Sequence, residues 1–369
     1  YIAIGEAYAE AVKQLSALGA KWIQFDEPSL VTDLTKEDKA VFKTLYEKIL
    51  AAKSGSKILL QTYFGDVRDI YSELLALDFD GIGLDFCEGK ESLNLVKKYG
   101  FDKSKILFAG VVNGKNIWKN DYAKTLKLLD ELKKYAGEIA IGTSCSLLHV
   151  PYSAKSEKAL DESVLKHFAF ALEKLDELKD LKALTNASAY EKEAAFIANT
   201  ELFSKPRCAG NREVTEKVKA IKDSDTVRLP DFYTREKIQR EALKLPILPT
   251  TTIGSFPQTK EVKENRSAFK KGEISFEKYD AYNLDRIAEC IKLQEKIGLD
   301  VLVHGEFERN DMVEYFGENL NGYVFTQKAW VQSYGTRCVK PPVIWDDVSR
   351  KGPITVKYIK HAQSVTDKP

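Results

Sequence analysis

The stretch Trp22-Ile23-Gln24-Phe25-Asp26-Glu27-Pro28 shows the pattern on which the fold of the first half depends. Four mostly apolar residues end at once in two acids and a proline, which is typical of a buried strand followed by a polar loop. A predicted helix over residues 7–18 precedes it and stops at Gly19, because glycine tolerates the positive φ of a helix C-cap. After the strand, Thr35 is a predicted N-cap with acids in the next turn. The stretch therefore predicts one unit of strand and helix.

The same unit repeats as far as residue 143. Further strands are predicted over residues 58–63, 81–86, 106–112 and 139–143, with amphipathic helices between them. Short apolar strands that alternate with helices indicate an α/β protein with a parallel sheet. The spacing of the strands fits either a (β/α)8 TIM barrel or a doubly wound sheet.

Polar residues cluster directly after these strands. They are Asp26, Glu27, Gln61, Thr62, Asp85, Asn113, Ser144 and Cys145. In a barrel such positions line the mouth at the carboxyl ends of the strands, and a doubly wound sheet also places them at strand ends. The chain contains neither GxGxxG nor GxxxxGK[ST], which disfavours a nucleotide-binding doubly wound fold.

The second half of the chain starts a new pattern after a charged helical region. Residues 160–245 are predicted to be helical, and strands are again predicted over residues 248–256 and 301–306. One barrel takes ~250 residues, so two need more than the 369 residues of this chain. We therefore predict two TIM barrels, both incomplete. Their predicted limits are residues 1–200 for the N-terminal barrel without its start, 201–245 for a helical linker, and 246–369 for the C-terminal catalytic barrel without its end.

Composition and charge narrow the classes of function. Hydrophobic residues make up 44% and charged residues 30% of the chain, which is ordinary for a globular protein with a buried core. The formal net charge of +1 does not favour nucleic acid or an anionic membrane surface as a partner. Five cysteines without a CxxC pair fit a reducing compartment better than a disulfide framework. The sequence therefore predicts a cytoplasmic protein.

Two segments of the second half place polar groups at predicted strand ends. In Thr252-Ile253-Gly254-Ser255-Phe256, Gly254 lets a ligand approach the backbone, and adjacent N–H groups are able to bind a carboxylate. In Val303-His304-Gly305-Glu306-Phe307, the Glu306 carboxylate is suited to a substrate ammonium group. The alternatives are a simple turn at Gly254 and, for Glu306, a helix cap or an ion pair with Arg309.

A third segment combines aromatic rings with a guanidinium. It is Trp330-Val331-Gln332-Ser333-Tyr334-Gly335-Thr336-Arg337-Cys338. Arg337 is suited to a carboxylate or a polar heterocycle, and Trp330 or Tyr334 to stacking on a ring. The alternative is an aromatic loop packed on the core.

A metal site is suggested by one pair of residues and opposed by the rest of the sequence. Cys145 and His149 have the spacing of two metal ligands on a helix. The chain has only four histidines, and no second pair completes a tetrahedral site. We therefore predict no zinc site formed wholly within this chain.

The three segments of the second half, in this order, resemble the cobalamin-independent methionine synthase family. The first half of the chain resembles the family's N-terminal barrel, through Phe25-Asp26-Glu27-Pro28 and Thr143-Ser144-Cys145-Ser146-Leu147-Leu148-His149. The resemblance covers essentially the whole chain, and one departure is Phe307, where the family pattern has a smaller residue or proline. It implies two face-to-face (β/α)8 barrels. It also implies methyl transfer from 5-methyltetrahydropteroyltriglutamate to L-homocysteine, which gives L-methionine.

The resemblance also implies roles for residues of this sequence. The positions that match homocysteine contacts are Ile253, Gly254, Ser255 and Glu306, and those that match folate contacts are Arg337 and Cys338. The family's zinc cofactor is held by a histidine, two cysteines and a glutamate at positions that fall beyond Pro369. No catalytic residue and no zinc ligand is therefore expected in this chain, which we expect to be an inactive monomer by itself.

The two barrels of the family resemble a duplication, which leads to a hypothesis for the first barrel. Cys145 and Asp85 match positions of two metal ligands in the second barrel, whereas Tyr63 and Gly65 stand where a histidine and a cysteine would be. A phenol and a hydrogen atom do not replace these ligands. The resemblance therefore implies a decayed metal site in the first barrel.

Two other functions stay open. One is a related corrinoid- or folate-linked methyltransferase barrel that uses another thiol as acceptor. The other is a binding module whose barrels have lost catalysis. Competition between thiols for the intact enzyme distinguishes a methyltransferase with another acceptor from a methionine synthase. Histidine and cysteine ligands further along the chain would exclude the non-catalytic binding module.

Overall fold

The chain divides into two compact units. A computed structural model describes residues 1–369. The first unit consists of Tyr1–Arg207 together with Thr326–Lys340, and the second unit of Cys208–Phe325 together with Pro341–Pro369. Thr326–Lys340 thus packs with the first unit, although it lies between two segments of the second unit in the sequence.

A five-stranded parallel sheet forms the centre of the first unit. Its strands, in sheet order, are β1 (Trp22–Asp26), β2 (Lys57–Gln61), β3 (Gly81–Asp85), β4 (Ile106–Val112) and β5 (Glu138–Thr143). Asp26 aligns with Gln61, and Asp85 aligns with Gly110, so neighbouring strands end at one edge of the sheet. The predicted α/β architecture with a parallel sheet is confirmed.

Helices alternate with these strands, and three more helices follow β5. They are α1 (Ile2–Ala17), α2 (Lys36–Ala51), α3 (Tyr71–Ala76), α4 (Ser92–Tyr99), α5 (Tyr122–Leu132), α6 (Glu162–Leu165), α7 (Ala171–Asn186) and α8 (Ala194–Phe203). The N-cap predicted at Thr35 is confirmed, because the Asp38 N–H donates to Thr35 Oγ1 at 3.1 Å and Asp38 Oδ2 accepts the Thr35 N–H at 2.9 Å. This capping box satisfies N–H groups that the start of a helix leaves unpaired. Gly19, after α1, has the predicted positive φ, at +86°.

The apolar core of the first unit lies between the sheet and its helices. Leu60 of β2, Ile82 of β3 and Leu107 of β4 are fully buried in it, and Val12 of α1 and Leu129 of α5 pack into the same cluster. Burying a side chain of this size contributes roughly 1.5–3 kcal/mol. Strands β2, β3 and β4 are therefore firmly anchored in the core of the unit.

The second unit is mainly helical. Its helices are α9 (Arg212–Lys219), α10 (Phe232–Leu243), α11 (Lys260–Lys270), α12 (Phe276–Ile297), α13 (Met312–Glu318) and α14 (Val356–Ser364). Strand β6 (Leu320–Val324) pairs with β9 (Val343–Arg350) in this unit, whereas β7 (Val331–Gln332) and β8 (Cys338–Val339) form a hairpin in the first unit. None of the helices combines the length and the apolar composition needed to cross a bilayer.

The strands predicted over residues 248–256 and 301–306 are wrong. A single parallel bridge, between Ser255 and Gly305, joins the two segments. Leu248 is 85% exposed, so the apolar residues at the start of the first segment gain no burial from strand formation. The two segments nevertheless run side by side at the bridge, which sets their register.

Candidate functional site

The turn of residues 253–255 lies against Glu306 in the second unit. Ser255 forms the parallel bridge with Gly305, the residue directly before Glu306. Gly254 faces the acid, because a Cβ added to it would lie 2.7 Å from Glu306 Oε1. Two segments far apart in sequence therefore meet as a glycine turn beside a carboxylate. The Ile253 side chain is fully exposed, so the turn presents its backbone to the acid.

The backbone at this place adopts conformations that most residues avoid. The φ angle is +130° at Gly254, +88° at Gly305 and +59° at Glu306. Glycine adopts positive φ readily, whereas a residue with a side chain is strained there by about 1–3 kcal/mol. Such strain concentrates at functional sites, so Glu306 stays a candidate for a ligand-binding role.

Glu306 has a cationic partner within the unit. Its carboxylate forms an ion pair with the Arg309 guanidinium, and the two side chains are 22% and 12% exposed. The guanidinium also lies over the ring of Phe316, with 5.6 Å between the guanidinium carbon and the ring centre. The ion pair considered as an alternative from the sequence is therefore present, and an ammonium ligand would share the carboxylate with Arg309.

Arg266 on α11 holds the loop around Glu306, and sequence reasoning missed it. Its Nη2 donates to the carbonyl oxygens of Phe307 at 3.1 Å and Arg309 at 3.0 Å. The same nitrogen donates to Gln258 Oε1 at 2.5 Å, and Gln258 Nε2 donates to the Glu306 carbonyl at 3.3 Å. Arg266 thus holds the backbone that follows Glu306 directly, and it is linked to the Glu306 carbonyl through Gln258. No local pattern identifies it, because these contacts join distant parts of the chain.

A buried titratable pair lies on either side of Glu306 in the sequence. His304 Nε2 lies 3.0 Å from Glu308 Oε1, and the two side chains are 10% and 1% exposed. The second carboxylate oxygen of Glu308 is buried without a hydrogen-bond partner. His304 and Glu308 stand four positions apart, and this spacing is the feature of the sequence from which the pair was predictable.

Arg337 and Cys338 lie on the β7–β8 hairpin of the first unit. Gln332 pairs with Cys338, and the N–H of Ser333 donates to the Arg337 carbonyl at 2.8 Å. Glu306 belongs to the second unit. The structure therefore groups the predicted homocysteine residues with one another and the predicted folate residues with one another, each group in a different unit.

A cavity of about 550 Å³ lies beside this hairpin, within the first unit. Leu148 and Tyr152 contribute to one side of it, and Trp330 and Cys338 contribute from the hairpin segment. Tyr334 is 87% exposed and does not line the cavity. Cavities with apolar and aromatic walls suit flat ring systems, and of the two rings considered for stacking only Trp330 lines this cavity.

The polar residues that end β3 and β5 are buried. Asp85 Oδ1 accepts the N–H groups of Cys87 at 2.7 Å and Glu88 at 2.9 Å, whereas its Oδ2 is buried without a partner. Burial raises the pKa of the Asp85 carboxyl and of the Cys145 thiol. Burial also raises the pKa of Tyr63 to about 12. The backbone of Tyr63 has a positive φ of 29°, which is unusual for a residue with a side chain. The carboxyl and the thiol are therefore held in environments that favour their neutral forms.

The donors present do not fit the zinc ion that the family resemblance implies. His149 lies on a short 3-10 turn, Leu147–His149, that does not include Cys145, so the two residues do not share a helix despite their spacing. The His149 ring packs edge-on against Phe64, with 5.4 Å between the ring centres. Among residues 1–369, no group of three or more histidine, cysteine, aspartate or glutamate side chains is placed to hold a metal ion.

We expect Asp85→Asn to change how stability depends on pH. Because burial raises the folded-state pKa of Asp85 above its ordinary value of 3.8, the protonated group favours folding. This contribution is fully present below the ordinary pKa and is lost as the pH rises through the raised one. Asparagine keeps an acceptor oxygen for the two N–H groups and does not titrate, so the variant should gain stability relative to the original chain as the pH rises.

Urea unfolding at about pH 3 and about pH 7 measures this difference. Asp33→Asn serves as the control, because Asp33 is exposed. A stability difference for Asp85→Asn that is the same at both pH values would contradict the expectation.

Comparison with known proteins covers nearly the whole chain. The profile described as "Cobalamin-independent synthase, N-terminal domain" matches residues 2–137, and that described as "Cobalamin-independent synthase, Catalytic domain" matches residues 248–369. A Campylobacter jejuni protein named 5-methyltetrahydropteroyltriglutamate–homocysteine methyltransferase is 59% identical over 98% of this chain. A Streptococcus gordonii protein of the same name is 57% identical over 100% of it. The chain is a homologue of cobalamin-independent methionine synthase.

This methionine synthase homologue spans about half the length of the curated relatives it matches, 48% for each of the two. The turn of residues 253–255 and Glu306 both lie in the stretch that matches the catalytic domain. A solved structure of a putative vitamin-B12 independent methionine synthase from Listeria monocytogenes aligns with 49% of this chain and 52% of its own, with a TM-score of 0.38 and 16% identity. The predicted family is confirmed by the sequence comparisons.

Proposed function

We propose that this methionine synthase homologue takes part in methyl transfer from 5-methyltetrahydropteroyltriglutamate to L-homocysteine, which gives L-methionine. The observation that carries the proposal is the glycine turn of residues 253–255 lying against the Glu306 carboxylate. The names of the Campylobacter jejuni and Streptococcus gordonii relatives, which state both substrates, support it. For the whole protein we propose two (β/α)8 barrels, on the basis of the five parallel strands of the first unit.

The geometry suits the amino-acid end of homocysteine. An α-amino acid carries its carboxylate and its ammonium group on one carbon, so the groups that bind them must be neighbours. The N–H groups of Gly254 and Ser255 are suited to the carboxylate, and Glu306 is suited to the ammonium group through charge-assisted hydrogen bonds. The close approach of Gly254 to the Glu306 carboxylate supports this arrangement, because a Cβ added to Gly254 would lie 2.7 Å from Glu306 Oε1. The thiol of homocysteine would then point away from the turn.

The hairpin of the first unit suits the folate. We propose that Arg337 and Cys338 contact it, since a guanidinium recognises carboxylates and polar heterocycles in a planar geometry. The neighbouring cavity, lined by Trp330 and Tyr152, offers aromatic surface for a ring of the same molecule. Binding and orientation of both substrates are the contributions that these residues make to the reaction.

The chemical step needs a thiolate. A free thiol has a pKa of ~8.5 and is mostly protonated at neutral pH, whereas the thiolate is the nucleophile. A zinc ion would supply that chemistry, since a thiol coordinated to it would be held as the thiolate. Because the side chains of residues 1–369 do not form a donor set for such an ion, we propose that this chain by itself binds the substrates without transferring the methyl group.

Calorimetric titration with thiols tests the proposal. The chain should bind L-homocysteine at least about 100-fold more tightly than 2-mercaptoethanol, which lacks both groups recognised by the turn and Glu306. Comparable binding of the two thiols would favour a methyltransferase with another acceptor. The absence of any binding by L-homocysteine would contradict the proposal and favour a non-catalytic module.

We also propose a cellular location, an oligomeric state and domain limits for the protein. A cytoplasmic monomer that acts on small molecules agrees with the net charge of +1 and with five cysteines that form no disulfide. The limits proposed for its domains remain residues 1–200, 201–245 and 246–369.

A further inference from the structure

A buried carboxylate anchors the segment Thr326–Lys340 in the first unit. Glu157 directly follows the 3-10 turn Ala154–Ser156 and is 1% exposed. Its Oε2 accepts the N–H of Gln327 at 2.6 Å, and its Oε1 accepts the N–H of Lys328 at 2.7 Å. Short bonds from two successive N–H groups to one carboxylate are charge-assisted and strong. They fix the backbone just before the β7–β8 hairpin.

A second bond closes the base of the same segment. Lys340 Nζ, after the hairpin, donates to the Thr326 carbonyl at 2.6 Å. The two ends of the segment are thereby held together next to the Glu157 anchor. Arg337 and Cys338 lie within this closed loop. The position of its base therefore determines their position.

The loop that carries Glu157 is itself held by α7. Glu173, in the first turn of α7, accepts a hydrogen bond from Ser153 Oγ at 2.8 Å and one from the Ala154 N–H at 3.0 Å. The same carboxylate accepts the Phe170 N–H at 3.2 Å. A continuous set of hydrogen bonds therefore runs from α7 through the loop to Glu157 and on to the hairpin segment.

We propose that Glu157 is a positioning residue for the folate substrate. The cavity of about 550 Å³ has one side from Leu148 and Tyr152 and another from Trp330 and Cys338 of the hairpin segment. These sides belong to separate parts of the chain, and the Glu157 carboxylate is a direct link between them. It sets the distance between the sides and the place of the folate-contacting residues. The inference rests on the proposed function, because it takes the folate to be the ligand of the hairpin.

Binding of each substrate to Glu157 variants of this chain tests the inference. Glu157→Ala removes both acceptors, so affinity for 5-methyltetrahydropteroyltriglutamate should fall about tenfold or more, whereas affinity for L-homocysteine should stay within about twofold. Glu157→Gln keeps one acceptor oxygen and should recover part of the folate affinity. The matched control is Glu162→Ala, because Glu162 lies in the same region but is exposed. Calorimetry measures both affinities, and far-UV circular dichroism checks that each variant is folded.

Hydrogen exchange of the hairpin supplies a second readout. Backbone amides of residues 331–339 should exchange faster in Glu157→Ala and Glu157→Gln than in the unsubstituted chain and in the Glu162→Ala control. Unchanged exchange, or equal loss of affinity for both substrates, would overturn the inference and leave the proposed function standing. An unsubstituted chain that binds L-homocysteine but no folate would overturn the folate part of the proposed function and this role with it.

Discussion

Gly254→Ala is expected to weaken binding of L-homocysteine about 100-fold or more. The added Cβ would lie 2.7 Å from Glu306 Oε1, well inside van der Waals contact. Position 254 also has a φ of +130°, where a residue with a side chain is strained by about 1–3 kcal/mol. Relief of either conflict changes the distance between the turn and the Glu306 carboxylate, through movement of one or the other, and about 1.4 kcal/mol of lost interaction already weakens binding tenfold.

The matched control for this prediction is Gly272→Ala. Gly272 has a φ of +74°, and a Cβ added there would meet no atom within 4 Å. It therefore shares a positive φ with position 254 but lacks a neighbour such as Glu306. Calorimetric titration of both variants with L-homocysteine should show a loss only for Gly254→Ala. Equal affinities of the two variants would mean that the turn and Glu306 do not bind one ligand.

The parallel sheet of the first unit was predictable because its signals are local. Each strand is a short apolar run closed by polar residues, as in Trp22-Ile23-Gln24-Phe25-Asp26, and each lies within a few residues of its predicted limits. The cap at Thr35 follows in the same way from its own sequence neighbours. Patterns of this kind depend on burial and backbone chemistry within one stretch of chain.

The contacts that shape the two candidate sites were not predictable in this way. Arg266 reaches three acceptors around Glu306, and Glu157 binds the backbone of a segment that follows it by well over a hundred residues. Neither residue stands in a motif, because a single buried hydrogen-bonding side chain leaves no periodic trace. The strand predicted over residues 248–256 failed for a related reason. A strand needs a continuous ladder of hydrogen bonds with its neighbour, and sequence alone does not reveal that only the bridge between Ser255 and Gly305 forms here.

Leu60→Ala is expected to lower the free energy of unfolding of the first unit by about 2–5 kcal/mol. Leu60 is fully buried in the middle of β2, where it pairs with Phe25 of β1 and Ile82 of β3. The substitution removes apolar burial and leaves a cavity between two neighbouring strands that are themselves packed. Single domains are stable by only about 5–15 kcal/mol, so the loss is a large share of the total.

Urea unfolding of this variant compared with Leu18→Ala measures how far the sheet depends on β2. Leu18, after α1, is 84% exposed, so its replacement should change stability by no more than about 0.5 kcal/mol. The urea concentration at the unfolding midpoint should fall for Leu60→Ala. The slope of the free energy of unfolding against urea concentration should stay the same, because the surface exposed on unfolding hardly changes. If both variants unfold at the same urea concentration, β2 does not lie at the centre of the cooperative unit. The polar residues that directly follow the strands would then lack a rigid support, since that support comes from the strands that carry them.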